Sequence, residues 1–192
     1  MTEQVELESY ADVGVLVSVD LVNALVIEHP FDQLTAAAEA LPAIARILSV
    51  DQSSLAQLGE GDAAGFVALA REMHGVFDDL HRGDVDCAAG RLNHLLADHP
   101  AHPHLTKEHG RWRLHHHPVD AALALMWTSI CAEAAARMIG AGHAGRFGAC
   151  EATGCERVFV DVSKNASRRF CSTTCQNRAK AAVFRRRRVA PT

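Results

Sequence analysis

The stretch Cys150-Glu151-Ala152-Thr153-Gly154-Cys155, followed after a fifteen-residue spacer by Cys171-Ser172-Thr173-Thr174-Cys175, decides how the C-terminal part of this chain folds. Four residues separate the first pair of cysteines and three the second. Each short loop turns two thiolates toward one point, so the two pairs can wrap a single tetrahedral ion. Zinc is the usual occupant when all four ligands are sulfur. The alternative is a pair of disulfides, which needs an oxidising compartment. The N-terminus, Met1-Thr2-Glu3-Gln4-Val5-Glu6, lacks the basic start and apolar core of a signal peptide. In a reducing cytosol, paired cysteines are expected as metal ligands. The reading is one structural zinc held by Cys150, Cys155, Cys171 and Cys175, in a cytoplasmic protein.

The rest of the module builds around these ligands. Residues 147–162 predict two short strands flanking the first pair, with Gly154 allowing the tight loop between ligands and Val158, Phe159 and Val160 as strand formers. Lys164-Asn165-Ala166-Ser167 predicts a turn, and a helix is expected from Ser172 to Arg188. Cys171 and Cys175 then share one helical face near its N-terminus, where the helix dipole favours thiolates. Knuckle, hairpin and ligand-bearing helix start make a treble-clef-like finger over residues 146–192. A module of about 45 residues buries little core, so the metal must supply part of its folding energy.

Charge divides the chain at the same place. Residues 1–145 hold 8 Lys and Arg against 20 Asp and Glu, whereas residues 146–192 hold 11 against 3. An acidic body with a basic tail points to nucleic acid as a partner. Arg168, Arg169, Lys180 and the run Arg185, Arg186, Arg187, Arg188 suit phosphate contacts, and Asn177 and Arg178 are residue types that read base edges. A solvated tail, or attraction between the two halves, is the plainer alternative. Arg178, one turn after Cys175, can also support the zinc thiolates.

Residues 1–140 read as a mainly α domain whose apolar stripes close without the finger. Val15 to Val26 give a first helix with Asp20 and Asn23 interspersed. Thr35 is expected to cap a second helix that Pro42 bends or breaks. Asp62 is expected to cap a third, with Phe66, Leu69, Met73, Val76, Phe77 and Leu80 on one stripe. His81-Arg82-Gly83-Asp84 ends it and starts the next, and an alanine-rich helix from Val119 stops at Gly140 and Gly142. Leu105, Trp112 and Leu114 alternate with polar residues across Glu108-His109-Gly110-Arg111, which predicts a short β-hairpin. Cys87 and Cys131 sit in apolar helical settings and read as core. The glycines from Gly140 to Gly145 place the domain boundary.

The finger residues resemble the CGNR zinc-finger family. The resemblance is carried by the four cysteines, by Asp161-Val162-Ser163-Lys164-Asn165, by Arg168-Arg169 before the third cysteine, and by Asn177-Arg178-Ala179-Lys180. One position departs: Gln176 stands where that family has its eponymous glycine. The N-terminal part, from Val19-Asp20-Leu21-Val22-Asn23 through the Trp112 hairpin, resembles the ABATE domain usually fused to this finger. Together the resemblances imply a stress-related transcription regulator, the finger binding DNA and the helical part acting as sensor or interaction domain for a small-molecule or protein effector.

Eight of the twelve histidines fall between His94 and His117. His115, His116 and His117 are candidate ligands for a second metal or an anionic ligand. Consecutive strand residues alternate faces, so the three rings cannot all meet one ion. No nucleophile elbow, phosphate-binding glycine loop or histidine–glutamate hydrolase pattern occurs, and a four-thiolate zinc has no open position for water, so no enzyme is expected. No apolar run approaches the roughly 20 residues of a membrane span. The competing expectation to a DNA-binding regulator is a protein-interaction adaptor.

Overall fold

The computed structural model describes residues 10–28, 37–98, 104–108, 110–115 and 121–189. Helices dominate: α1 (Tyr10–Val22), α2 (Ala37–Leu48), α3 (Gln52–Gln57), α4 (Ala63–His81), α5 (Val85–Asp98), α6 (Leu123–Gly140) and α7 (Thr173–Val189). Two antiparallel pairs complete it, β1 (His104–Glu108) with β2 (Arg111–His115), and β3 (Phe147–Ala149) with β4 (Val158–Val160). A mainly α fold with a short hairpin and a small C-terminal finger is what the sequence predicts.

The α4 stripe is buried as its spacing requires, with Phe66, Leu69, Met73, Val76, Phe77 and Leu80 in the core. Each such side chain stabilises the fold by about 1.5–3 kcal/mol on burial. α6 supplies the opposing face through Trp127, Ile130, Cys131, Ala134 and Ala135. Small residues let the helices approach closely. A Cβ on Gly14 would lie 2.8 Å from the Ile130 carbonyl oxygen, and one on Gly65 would lie 2.5 Å from the Ala124 Cβ. Trp127 is fully buried, and its indole N–H donates to Ser54 Oγ at 3.0 Å. Ser54 in turn donates to Asp51 Oδ2 at 2.5 Å. Asp51 also caps α3, accepting from the Ser53 and Ser54 amides.

Helix ends follow local chemistry. Gly83 (φ +79°) terminates α4, with Asp84 N–H bonded back to Asp79 O, and the Asp84 carboxylate then accepts from Cys87 N–H at the start of α5. Gly142 (φ +80°) terminates α6, with His143 N–H bonded to Met138 O and Gly142 N–H to Ile139 O. Four details differ from expectation. α2 runs through Pro42 without a break. Asp62 caps a preceding turn, accepting from Gly59 N–H, and makes no side-chain cap to α4. The short α3 was invisible in the periodicity because it is a single capped turn and a half. Cys131 is buried, but Cys87 is exposed beside Asp84 at the start of α5, where the helix faces solvent. Thr35 lies outside the described residues.

The β1–β2 hairpin pairs Glu108 with Arg111 across its turn, with Gly110 at φ +82°. Leu105 pairs with Leu114 and Lys107 with Trp112, so these four share one face. Leu105, Trp112 and Leu114 are exposed.

The second pair, β3–β4, is built into the core that the periodicities assign to the helices alone. Phe147, Val158 and Val160 belong to the same buried cluster as the helical residues. Phe147 meets Phe77 edge to face at 5.3 Å between ring centroids. A single π-helical turn, Asn23–Ile27, follows α1 and carries the buried Asn23. Its side-chain amide donates to Val158 O at 3.0 Å, and its Oδ1 accepts from Val158 N–H at 2.9 Å. One amide side chain thus pairs with a strand as a neighbouring strand would. Glu28 and Arg157 form an ion pair beside it.

Candidate metal centre and nucleic-acid helix

β3 leads directly into the first ligand and β4 leaves the second. Cys150 N–H bonds to Arg157 O at 2.9 Å, extending the β3–β4 ladder by one pair. Cys155 N–H bonds to Ala152 O at 2.9 Å, and Gly154 takes φ +71°, closing the knuckle. After β4 the chain loops to the second pair, and Asp161 governs that loop. Its buried carboxylate accepts from Ser163 N–H at 2.8 Å and from Arg168 N–H at 2.6 Å. Burial alone would raise its pKa, but these hydrogen bonds and the nearby Arg146 outweigh burial and hold it below the ordinary value. Ala166 sits at φ +47° within this loop.

The second pair straddles a helix start. Ser172 caps α7, its Oγ accepting from Cys175 N–H at 3.2 Å. Cys171 therefore lies two residues before the helix and Cys175 in its first turn, so the two do not share the helical face expected from spacing.

All four sulfurs lie within 4.8 Å of one another. Cys155–Cys171, Cys171–Cys175 and Cys175–Cys155 are separated by 3.7, 3.6 and 3.8 Å. A regular tetrahedron with zinc–sulfur bonds of about 2.3 Å has sulfur–sulfur edges of about 3.8 Å. The donor set fits one zinc ion in type, number and size. The thiols themselves are unequal. Burial first, then the adjacent sulfurs, pushes Cys171 up to about 12. Hydrogen bonding from Ser172, then from Cys171, brings Cys175 down to about 7. Four thiolates this close coexist only around a cation, whose charge replaces the protons. Such a site is coordinatively closed and structural. Among the described residues no other group of His, Cys, Asp or Glu is placed to hold a metal. His115 stands on β2 without a described side chain, and His116 and His117 lie outside the described residues.

The basic residues have different assignments. Arg168 is used within the finger: its guanidinium donates to Phe170 O at 2.9 Å, to Cys171 O and to Val160 O, and lies 4.9 Å over the Phe159 ring. Arg169 pairs with Glu151 (Nε to Oε2, 2.8 Å), across from the knuckle whose Glu151 N–H bonds Arg169 O. That ion pair holds the Glu151 carboxyl below its usual range. Arg178 donates through Nη2 to Cys175 Sγ at 3.7 Å, the supporting role open to it from sequence. Asn177, Lys180 and Arg185 are exposed on α7, which also carries the Arg186–Arg188 backbone.

Two open grooves, of about 550 and 640 Å³, flank the ridge formed by Arg169 and Phe170. The first runs past Ser163, Ser167 and Thr173, and the second past Lys180, Val183 and Phe184. Gln176 lines both. Sequence reasoning did not assign Asn23, Asp161, Ser172 or Gln176. Ser172 alone had a local signal, a serine three residues before the amide it caps.

A family model described as CGNR zinc finger matches residues 146–188. No curated protein matches the chain. A second family model, ABATE, described as "putative stress-induced transcription regulator", matches residues 17–142. With about two thirds of its 192 residues matched, the chain belongs to the ABATE family and carries a CGNR zinc finger after that domain.

Proposed function

We propose that this protein is a DNA-binding transcription regulator without catalytic activity, acting in the cytoplasm. A structural zinc fixes the finger, α7 meets duplex DNA, and the helical body serves as sensor or interaction module. The observation that carries the reading is α7 itself. It is 17 residues long, about 25 Å, rooted at Cys175 in the thiolate cluster, with Lys180 and Arg185 exposed along it and four consecutive arginines near its end. A cation-rich rigid rod is suited to phosphates. The acidic body lowers non-specific affinity and leaves the rod as the cationic surface.

The test uses the full-length, zinc-loaded protein and labelled duplex DNA over a series of salt concentrations. If about six phosphates are neutralised, log affinity falls with log salt at a slope near −5. Replacing Arg185–Arg188 by Ala flattens that slope on all sequences alike. Two observations favour the protein-interaction adaptor as the second reading: Val183 and Phe184 are exposed on α7, and Leu105, Trp112 and Leu114 on the hairpin. Absence of duplex binding at low salt by zinc-loaded protein would select it.

A further inference from the structure

We propose that Gln176, rather than Asn177 or Arg178, is the residue with which α7 reads a base edge, and that the base is adenine. The proposal rests on the DNA-binding reading and names the face of α7 that carries it. A helix lying in the major groove presents only one side to the bases, and residues near its N-terminus reach them first. At about 100° per residue, Gln176 and Arg178 point about 160° apart, so both cannot face the same groove floor.

The local contacts choose between them. Arg178 is turned to the zinc site, its Nη2 on Cys175 Sγ at 3.7 Å. Asn177 is exposed but lines neither groove of the finger. Gln176 lines both, sits in the first turn of α7, and its side-chain amide has no hydrogen-bond partner among the described residues. Cations border the same surface: Arg168 lines the first groove and Lys180, one turn beyond Gln176, lines the second, where the charge of Arg169 is offset by its ion pair with Glu151. Thr173, one turn before it, adds a hydroxyl. A phosphate strand drawn along Arg168 and Lys180 therefore brings the duplex against the face whose projecting amide is Gln176. A glutamine amide matches adenine by donating to N7 and accepting from the N6 amino group. The Arg168 donors are on the neutral carbonyls of Val160, Phe170 and Cys171, so its positive charge stays at this face while its geometry is fixed.

The experiment is selection from a randomised duplex library with full-length, zinc-loaded protein, comparing the wild type with Gln176→Ala, Gln176→Arg and Asn177→Ala. Zinc content and helical circular dichroism are measured on each. The wild type should enrich adenine at one position. Gln176→Ala should reduce that enrichment roughly 5- to 150-fold while leaving the salt slope unchanged. Gln176→Arg should move the preference to guanine, and Asn177→Ala should leave it intact. Loss of preference in Asn177→Ala with none in Gln176→Ala overturns the inference and leaves DNA binding standing. So does wild-type binding with no base preference. Recovery of no duplex at all by the wild type overturns the DNA-binding reading, and this inference with it.

Discussion

Removing the Asn23 amide tests whether the finger and the helical body are one folding unit. Asn23 and Val158 are both buried, at 3% and 5% exposure, and the amide satisfies both backbone groups of Val158. Asn23→Ala leaves a buried N–H and a buried C=O without partners, at about 1–3 kcal/mol each. The variant no longer desolvates the amide itself, so the expected loss is about 2–4 kcal/mol. With a urea m-value of about 2 kcal/mol/M, the midpoint should fall by roughly 1–2 M. Asn23→Asp keeps the acceptor for Val158 N–H but sets a carboxylate oxygen against Val158 O, so it should not rescue.

The assay is urea unfolding of the full chain, followed at once by far-ultraviolet circular dichroism and by zinc release to a coloured chelator. Phe147, Val158 and Val160 lie in the helical core, so both signals should move together in the variant. A midpoint shift below about 0.3 M, or a shift in zinc release with the helical transition unchanged, would refute the shared core.

Other expectations follow from single contacts. The wild type should hold one zinc per chain; Cys155→Ser should lose it and also lower the helical melting temperature, measured by elemental analysis and a thermal melt, because the knuckle continues β3–β4. Asp161→Ala should destabilise zinc retention by about 1–3 kcal/mol through two orphaned amides. The Asp161 pKa is depressed on folding, so its contribution is full above the unfolded value of 3.8 and lost only as pH falls through the lower folded value. The Asp161→Ala penalty should therefore be equal at pH 8 and pH 6 in a chelator competition. Gly65→Ala, which drives a Cβ to within 2.5 Å of the Ala124 Cβ, should lower stability by about 1–3 kcal/mol. Gly90→Ala, in α5 with open space around it, should raise it by about 0.5–1 kcal/mol; equal signs in denaturation curves would contradict the α4–α6 contact.

What was legible in the sequence was whatever depends on spacing along the chain. The cysteine pairs, the Gly110 turn, the Gly142 stop and the α4 stripe each encode their geometry within a few residues, and each is found as read. What escaped depends on partners far away. Nothing near Asn23 reveals that it pairs with a strand 135 residues on. The basic residues show the same limit. A count of charges marks residues 146–192 as cationic, but Arg168 faces carbonyls and Arg169 faces Glu151. Cys87 reads as core by its neighbours, yet lies on the exposed start of α5.

A contiguous set of contacts joins the helical body to α7. Asn23 holds Val158, β4 ends at Val160, and Arg168 bonds the carbonyls of Val160 and Cys171. Cys171 and Cys175 then share the thiolate cluster, and Cys175 lies in the first turn of α7. A sensor role requires that a change in the body reach α7, and contact alone does not prove coupling. The coupling is measurable in a double-mutant cycle of Asn23→Ala with Arg168→Ala, read as the free energy of zinc retention in the full chain. Independent sites add to within about 0.5 kcal/mol, and a rigid connection exceeds that. Both substitutions free β4 from a neighbour, so the second should cost less once the first has loosened the strand. A cycle that closes on additivity would mean that β4 does not transmit.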